Sequence, residues 1–204
     1  MRNALQLLRV AVLVSLAVVG VRPAIVSAAP LPEPTVDYSA ERNTQVGKKI
    51  SKSKIFHAQG KDRNEIQLAD GHALITIVRK DLGVVWTLLP EQKIYTEVKL
   101  PPTGDPSTRP APESTQTTLG KETIDGMATT KIKNTTTVAG ATMETILWIT
   151  PEGIRVKSES KAGKSWLKNV KIGVQDPALF ELPSGYSKQR TTEAAPKPQD
   201  KPAP

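Results

Sequence analysis

The strongest constraint on this chain is a period of two. Across residues 65–98, apolar and polar side chains alternate in short segments broken by turn formers, the pattern of antiparallel strands and not of helices. Ala73, Ile75 and Ile77 share one face of a strand over 72–79, and Lys80-Asp81-Leu82-Gly83 turns the chain, with Gly free to take a positive φ. Val84, Trp86 and Leu88 share a face of the next strand. Pro90-Glu91-Gln92 turns again, and Ile94, Thr96 and Val98 then alternate with Lys93, Tyr95 and Glu97. These segments make a three-stranded meander.

The same grammar returns later without the same sequence. Asp125-Gly126 is a hairpin signal between strands at 119–124 and 128–138. Pro151-Glu152-Gly153 joins 143–150 to 154–160, and a strand over 166–174 ends where Asp176-Pro177 restricts the backbone and removes a ladder donor. Residues 36–46 and 49–58 supply two more strands. The fold class is therefore mainly β, with nine to eleven strands in hairpin meanders, so the sheet must curl, close or split to protect its edges.

Two strands are apolar on both faces: Leu74 and Val78 oppose Ile75 and Ile77, and Ile146 and Trp148 oppose Leu147 and Ile149. Either a second layer, a small helix or a loop, covers the other side, or the sheet wraps a cavity. Taking the odd-numbered positions of 75–77 and 147–149, with Trp86 and Leu88, as the inward parity gives Ile75, Ile77, Trp86, Leu88, Leu147 and Ile149 as candidate ligand-binding residues. A shift of one residue in register would exchange the two sets.

The ends read differently. Arg2 and Arg9 precede an apolar run over 10–21, then Val26-Ser27-Ala28, which makes residues 1–28 a signal peptide cleaved after Ala28. The twelve residues between Arg9 and Arg22 are too few for a spanning helix, which needs ~20. Residues 188–204, with Pro196, Pro198, Pro202 and Pro204 among Lys, Gln and Asp, read as a solvated tail. Residues 29–187 form one domain, in which 101–116 is a long surface loop. Of the formal charge of +8, the two ends carry five, leaving +3 on the body, which argues against nucleic acid as a partner. The chain has no Cys, so disulfides, thiolate metal sites, a Cys nucleophile and a lipidated Cys are excluded.

Catalytic chemistry is sparse. His57 and His72 stand fifteen residues apart in strand or turn and read as surface histidines, with no metal site implied. Gly163-Lys164-Ser165 lacks the preceding Gly of a phosphate loop, and no Gly-x-Ser-x-Gly elbow occurs. Asp62/Glu65 and Glu91/Glu97 read as solvated charges. Lys48, Lys52 and Lys54, and the later Lys157, Lys161, Lys164, Lys168 and Lys171, fit guards of exposed strands better than a lipid-facing patch. No catalytic residue, cofactor or metal is expected.

Arg79-x-Asp81, Val85-Trp86, Pro90 and Tyr95-x-Glu97 within 78–97 resemble a hallmark of exported proteins of the LolA-like superfamily, in a poorly characterised branch. The block 119–126 and the closing Phe180-Glu181-Leu182-Pro183-Ser184-Gly185-Tyr186 are similar to further blocks of that branch, so the resemblance spans residues 37–186. It implies a strongly curved, incomplete antiparallel barrel, a LolA-like half-barrel with an apolar concave side, in a superfamily whose best-known members carry lipoprotein acyl chains across the periplasm. The expectation is a monomeric periplasmic carrier or binding protein, not an enzyme, whose partners are a lipid or lipidated ligand and membrane proteins of the envelope. The alternative is an envelope scaffold with a filled core.

Overall fold

Asp125 and Gly126 sit at φ 47° and 81°, the two left-handed conformations that a tight antiparallel turn of the I′ type requires. Ile124 consequently pairs directly with Met127. Such hairpins build the whole molecule, of which the computed structural model describes residues 25–27, 31–100, 113–138 and 140–189. The strands are β1 (Ile25–Ser27), β2 (Tyr38–Val46), β3 (Lys49–Ala58), β4 (Lys61–Gln67), β5 (Ala73–Arg79), β6 (Val84–Leu89), β7 (Ile94–Lys99), β8 (Glu113–Ile124), β9 (Met127–Val138), β10 (Ala141–Ile149), β11 (Arg155–Ser160), β12 (Gly163–Ile172) and β13 (Ser187–Lys188).

All thirteen belong to one sheet in the order β1-β8-β9-β10-β11-β12-β2-β3-β4-β5-β6-β7-β13. Every pairing is antiparallel except that of β13 with β7. The expected mainly β, curved half-barrel is what forms: eleven strands of six or more residues, two short edge strands, and no closure between the two ends. Bulges at Leu119, between Lys168 and Lys171, and between Trp148 and Ile149 add local twist.

Several boundaries differ from the sequence expectation. β8 begins at Glu113, so residues 113–116 belong to a strand and not to the loop, while 101–112 lie outside the described residues. Of the proposed leader, only Ile25–Ser27 is described, as β1 paired to Thr115–Thr117 of β8. Of the tail, Lys188 pairs with Tyr95 and the Gln189 N–H donates to the Tyr95 carbonyl, while 190–204 lie outside the described residues. β4 carries Lys61, Asp62, Arg63, Asn64 and Glu65, so no apolar alternation announced it.

Register assigns the faces. Ile77 pairs with Arg63, Arg63 with Phe56 and Phe56 with Ser39. Leu147 pairs with Ser158, Ser158 with Ser165 and Ser165 with Thr44. Ser39 and Thr44 are five apart on β2, so Ile77 and Leu147 point to opposite faces. The face of Thr44 is called inner here, because side chains from β10, β2 and β4 converge on it in one hollow.

The buried side chains gather in two clusters. On the outer face, Ile77, Trp86 and Leu88 pack beneath Phe180, which belongs to the 3-10 turn Pro177–Phe180. That turn is started by Pro177 and capped by Asp176, whose carboxylate accepts the Ala178 N–H. On the inner face, Tyr38, Ala40 and Ile55 pack with Leu167, Ile154 and Val156 where β2 meets β12. The cover that the sequence left open is therefore this short turn, and it lies on the outer face. Its neighbouring turn Pro90–Gln92 is the only other helical element among the described residues, and no helix there is long and apolar enough to cross a membrane.

Candidate ligand cleft

The inner face is chemically divided. In the first half it presents three cross-strand rows. Ile66 and Leu74 form one, Asn64, Thr76, Thr87 and Thr96 the second, and Asp62, Val78, Val85 and Val98 the third. The apolar members are half-buried apart from the exposed Val98, and no described element packs over them. Across the seam of β2 with β12 the same face carries Thr44 and Arg42 from β2 and Thr145, Ser158 and Ser165 from the second half, hydroxyls and charge set beside Leu147 and Leu167.

Between the two halves lies a cleft of about 580 Å³. Tyr38 and Arg42 come from β2, Ser165 and Leu167 from β12, Arg155 and Ser158 from β11, Leu147 from β10 and Asp62 from β4. Glu33 and Pro34 form its rim. They are held there by Thr35, whose N–H donates to the Glu152 carbonyl at 2.9 Å, and by the absence of a side chain at Gly153. A Cβ at Gly153 would come within 2.5 Å of the Glu33 carbonyl oxygen, and its φ of +85° already favours Gly. A smaller hollow of about 270 Å³ shares Tyr38, Arg42, Asp62 and Arg155 and adds Asn64, Thr76 and Val78, which connects the polar cleft to the apolar rows.

Most charges in the cleft are paired. His57 Nδ1 lies 2.8 Å from Asp62 Oδ1, and Lys80 reaches Glu33 at 2.8 Å. Arg42 and Arg155 form no ion pair with any described residue. Burial pushes the Tyr38 hydroxyl above the usual phenol range; the charges of Arg42 and Arg155 pull it down, and those of Asp62 and Glu33 push it up. The Asn64 side-chain oxygen in the adjoining hollow is buried without a hydrogen-bond partner.

No protein-family model matches this sequence, and no curated protein matches it. Among solved structures, the chain is similar to PNGF-II with a TM-score of 0.49 at 14% identity, covering 76% of this chain and 31% of that one. It is similar to MucB with a TM-score of 0.47 at 13% identity, covering 74% of this chain and 59% of MucB. It is also similar to a putative outer membrane lipoprotein-sorting protein domain from Vibrio parahaemolyticus, with a TM-score of 0.30 at 13% identity, covering 71% of this chain and 89% of that domain. The chain spans less than two thirds of the length of the first two.

The six residues proposed from sequence do not share one space. Ile77, Trp86 and Leu88 are buried on the outer face under Phe180, with Ile75 packed against them, whereas Leu147 and Ile149 are buried on the inner face. Leu147 alone of the six lines the cleft. The cause is the two-residue period: Leu74 and Val78, the parity not chosen, face inward in the first half.

Other polar residues also carry more structure than expected. His57 is buried, not at the surface, and its ring lies 5.4 Å from that of Tyr38. No nucleophilic side chain hydrogen-bonds to it among the described residues, and none of them form a cluster fit for a metal ion. Glu65 binds Arg63, Glu91 accepts the Ala73 N–H, and Glu97 accepts the Trp86 indole N–H and Lys188. Lys188 first and Trp86 second hold the Glu97 carboxyl below its ordinary range. The late lysines are organised on the outer face: Lys131 and Lys157 flank the Trp148 ring at 4.9 and 4.2 Å, and Lys168 pairs with Asp125. Arg42 and Arg155 gave no signal in sequence, because only the pairing of β11 with β12 and of β12 with β2 brings them to one cleft.

Proposed function

We propose that this protein is a non-catalytic binding or carrier protein of the bacterial periplasm, which holds the acyl chain of a lipid or lipoprotein along its inner face. The observation that carries the reading is the pair of half-buried apolar rows, Ile66–Leu74 and Val78–Val85, which flank a Thr and Asn row, which no described element covers, and which at Val78 open into the hollow shared with the cleft. A folded protein normally covers a concave apolar wall with its own core, and one left open is a binding surface. Each methylene laid on the wall gains ~0.8 kcal/mol, so about ten methylenes support useful affinity after the costs of ordering the chain.

Native mass spectrometry of the protein purified from its own periplasm tests this directly, with bound acyl species expected. Val78→Asn should weaken binding of a hydrophobic dye at least several-fold while the melting temperature changes little, since Val78 is only half-buried. Absence of bound acyl species together with wild-type dye binding by the variant would sink the reading. The second reading, an envelope interaction module, draws on the two packed clusters around Ile77 and Ile154, both fully buried.

A further inference from the structure

The divided inner face specifies more than an acyl chain. Its first half carries apolar rows of Val, Leu and Ile on either side of a Thr and Asn row, and beside it lies a cleft lined by hydroxyls, Leu147 and Leu167 that holds two arginines without an ion-pair partner among the described residues. We propose that Arg42 and Arg155 bind the phosphate-type oxyanion head group of an amphiphile whose chain lies on the Val78–Val85 row. The inference rests on the carrier reading above and adds the head-group chemistry.

Geometry supports it in three ways. Arg42 on β2 and Arg155 on β11 are separated by the single strand β12, and both line one cleft. Guanidinium forks match the oxygens of a phosphate; on the same wall stand the Thr44 hydroxyl and the Ser158–Ser165 pair, which are hydrogen-bonded to each other at 2.9 Å and so keep one hydroxyl proton between them for a ligand. Arg42, Arg155 and Val78 line one continuous hollow, so a head group held by the arginines starts its chain at the apolar row without crossing open solvent. The two carboxylates of the cleft each have a partner, Asp62 in His57 and Glu33 in Lys80, which itself lines the cleft. Arg42 and Arg155 are the cations of the cleft without an ion-pair partner among the described residues.

Three probes separate the possibilities: dodecyl phosphate, dodecyl maltoside and inorganic phosphate, each titrated by calorimetry into the full exported protein below the micellar concentration. Wild type should bind dodecyl phosphate at least tenfold more tightly than the other two. The double variant Arg42→Gln with Arg155→Gln should lose that advantage and bind dodecyl maltoside as before, with an unchanged melting temperature because neither arginine holds a structural ion pair. Val78→Asn should weaken both amphiphiles. If the double variant keeps wild-type affinity for dodecyl phosphate, the head-group assignment is overturned while the carrier reading stands. Wild type binding neither amphiphile overturns the carrier reading and this inference together. Inorganic phosphate binding as tightly as dodecyl phosphate, with the same loss in the double variant, would make the cleft a free-anion site and overturn the amphiphile.

Discussion

Arg79 shows how one residue ties distant parts of the chain together. It is buried on the outer face, with its Nε and Nη2 forked onto the Asp81 carboxylate at 2.8 and 2.7 Å. Its Nη1 donates to Glu181 at 2.7 Å and to the Phe180 carbonyl at 3.2 Å, and the guanidinium lies 5.8 Å from the Trp86 ring. The Arg-x-Asp signature visible in sequence is thus a clamp between the β5–β6 turn and the segment that covers the outer face. Arg79→Leu should cost about 1–3 kcal/mol, the range for losing charge-assisted hydrogen bonds with half-exposed partners, measured as a lower midpoint in urea. The clamp also sets an acid limb. Arg79, by hydrogen bonding first, holds the Asp81 carboxyl at about 2. A carboxyl depressed in the folded state stabilises above its unfolded value of about 3.9, and the contribution disappears as pH falls through the folded value. Wild type should lose stability between about pH 4 and pH 2, and the Arg79→Leu protein should lose less over that window; parallel acid titrations of the two would refute the linkage.

At the scale of an element, the 3-10 turn Pro177–Phe180 decides which face of the meander is core. Phe180 is 1% exposed and closes over Ile77 and Leu88, and Arg63 helps to anchor the turn by donating to the Leu179 carbonyl at 2.8 Å. Phe180→Ala should cost ~3–5 kcal/mol, as for other buried aromatic truncations, and lower the thermal midpoint accordingly. A change below 1 kcal/mol would mean that the turn does not hold the core. This dependence explains what the sequence disclosed and what it hid. Strand positions were legible because alternation and turn chemistry are local: Asp125-Gly126, Pro90 and Asp176-Pro177 all act where they stand. The buried face of β5 was not legible, since Leu74 and Val78 are as apolar as Ile75 and Ile77, and the deciding partner, Phe180, lies a hundred residues away. β4 was hidden for the opposite reason. Its polar side chains stabilise the sheet through His57–Asp62 and Arg63–Glu65 pairs that no hydrophobic pattern records.

At the scale of the whole molecule, the pairing of β12 with β2 matters most, because it joins strands more than a hundred residues apart into the centre of the sheet. Strand number and edge protection required the sheet to curl, close or split, and the family resemblance implied the half-barrel, but this seam had no local signature, and the cleft that it creates was correspondingly invisible. Arg42 and Arg155 meet only across β12. Asn169, at φ 53°, sits in the bulge that lets β12 follow the bend of β2 between Lys168 and Lys171. The inner cluster crosses the same seam: Tyr38, Ala40 and Ile55 from the first half pack on Ile154, Val156 and Leu167 from the second. Neither half keeps that cluster without the other, so the two halves should unfold as one cooperative unit. The tryptophans provide the probes, Trp86 reporting the first half and Trp148 and Trp166 the second. In variants that retain either Trp86 alone or Trp148 alone, fluorescence-detected urea transitions should share one midpoint, and a fragment of residues 113–189 should show no cooperative transition. Two separated midpoints, or a fragment that unfolds cooperatively, would show that the halves are independent and that the cleft lies between units free to move apart.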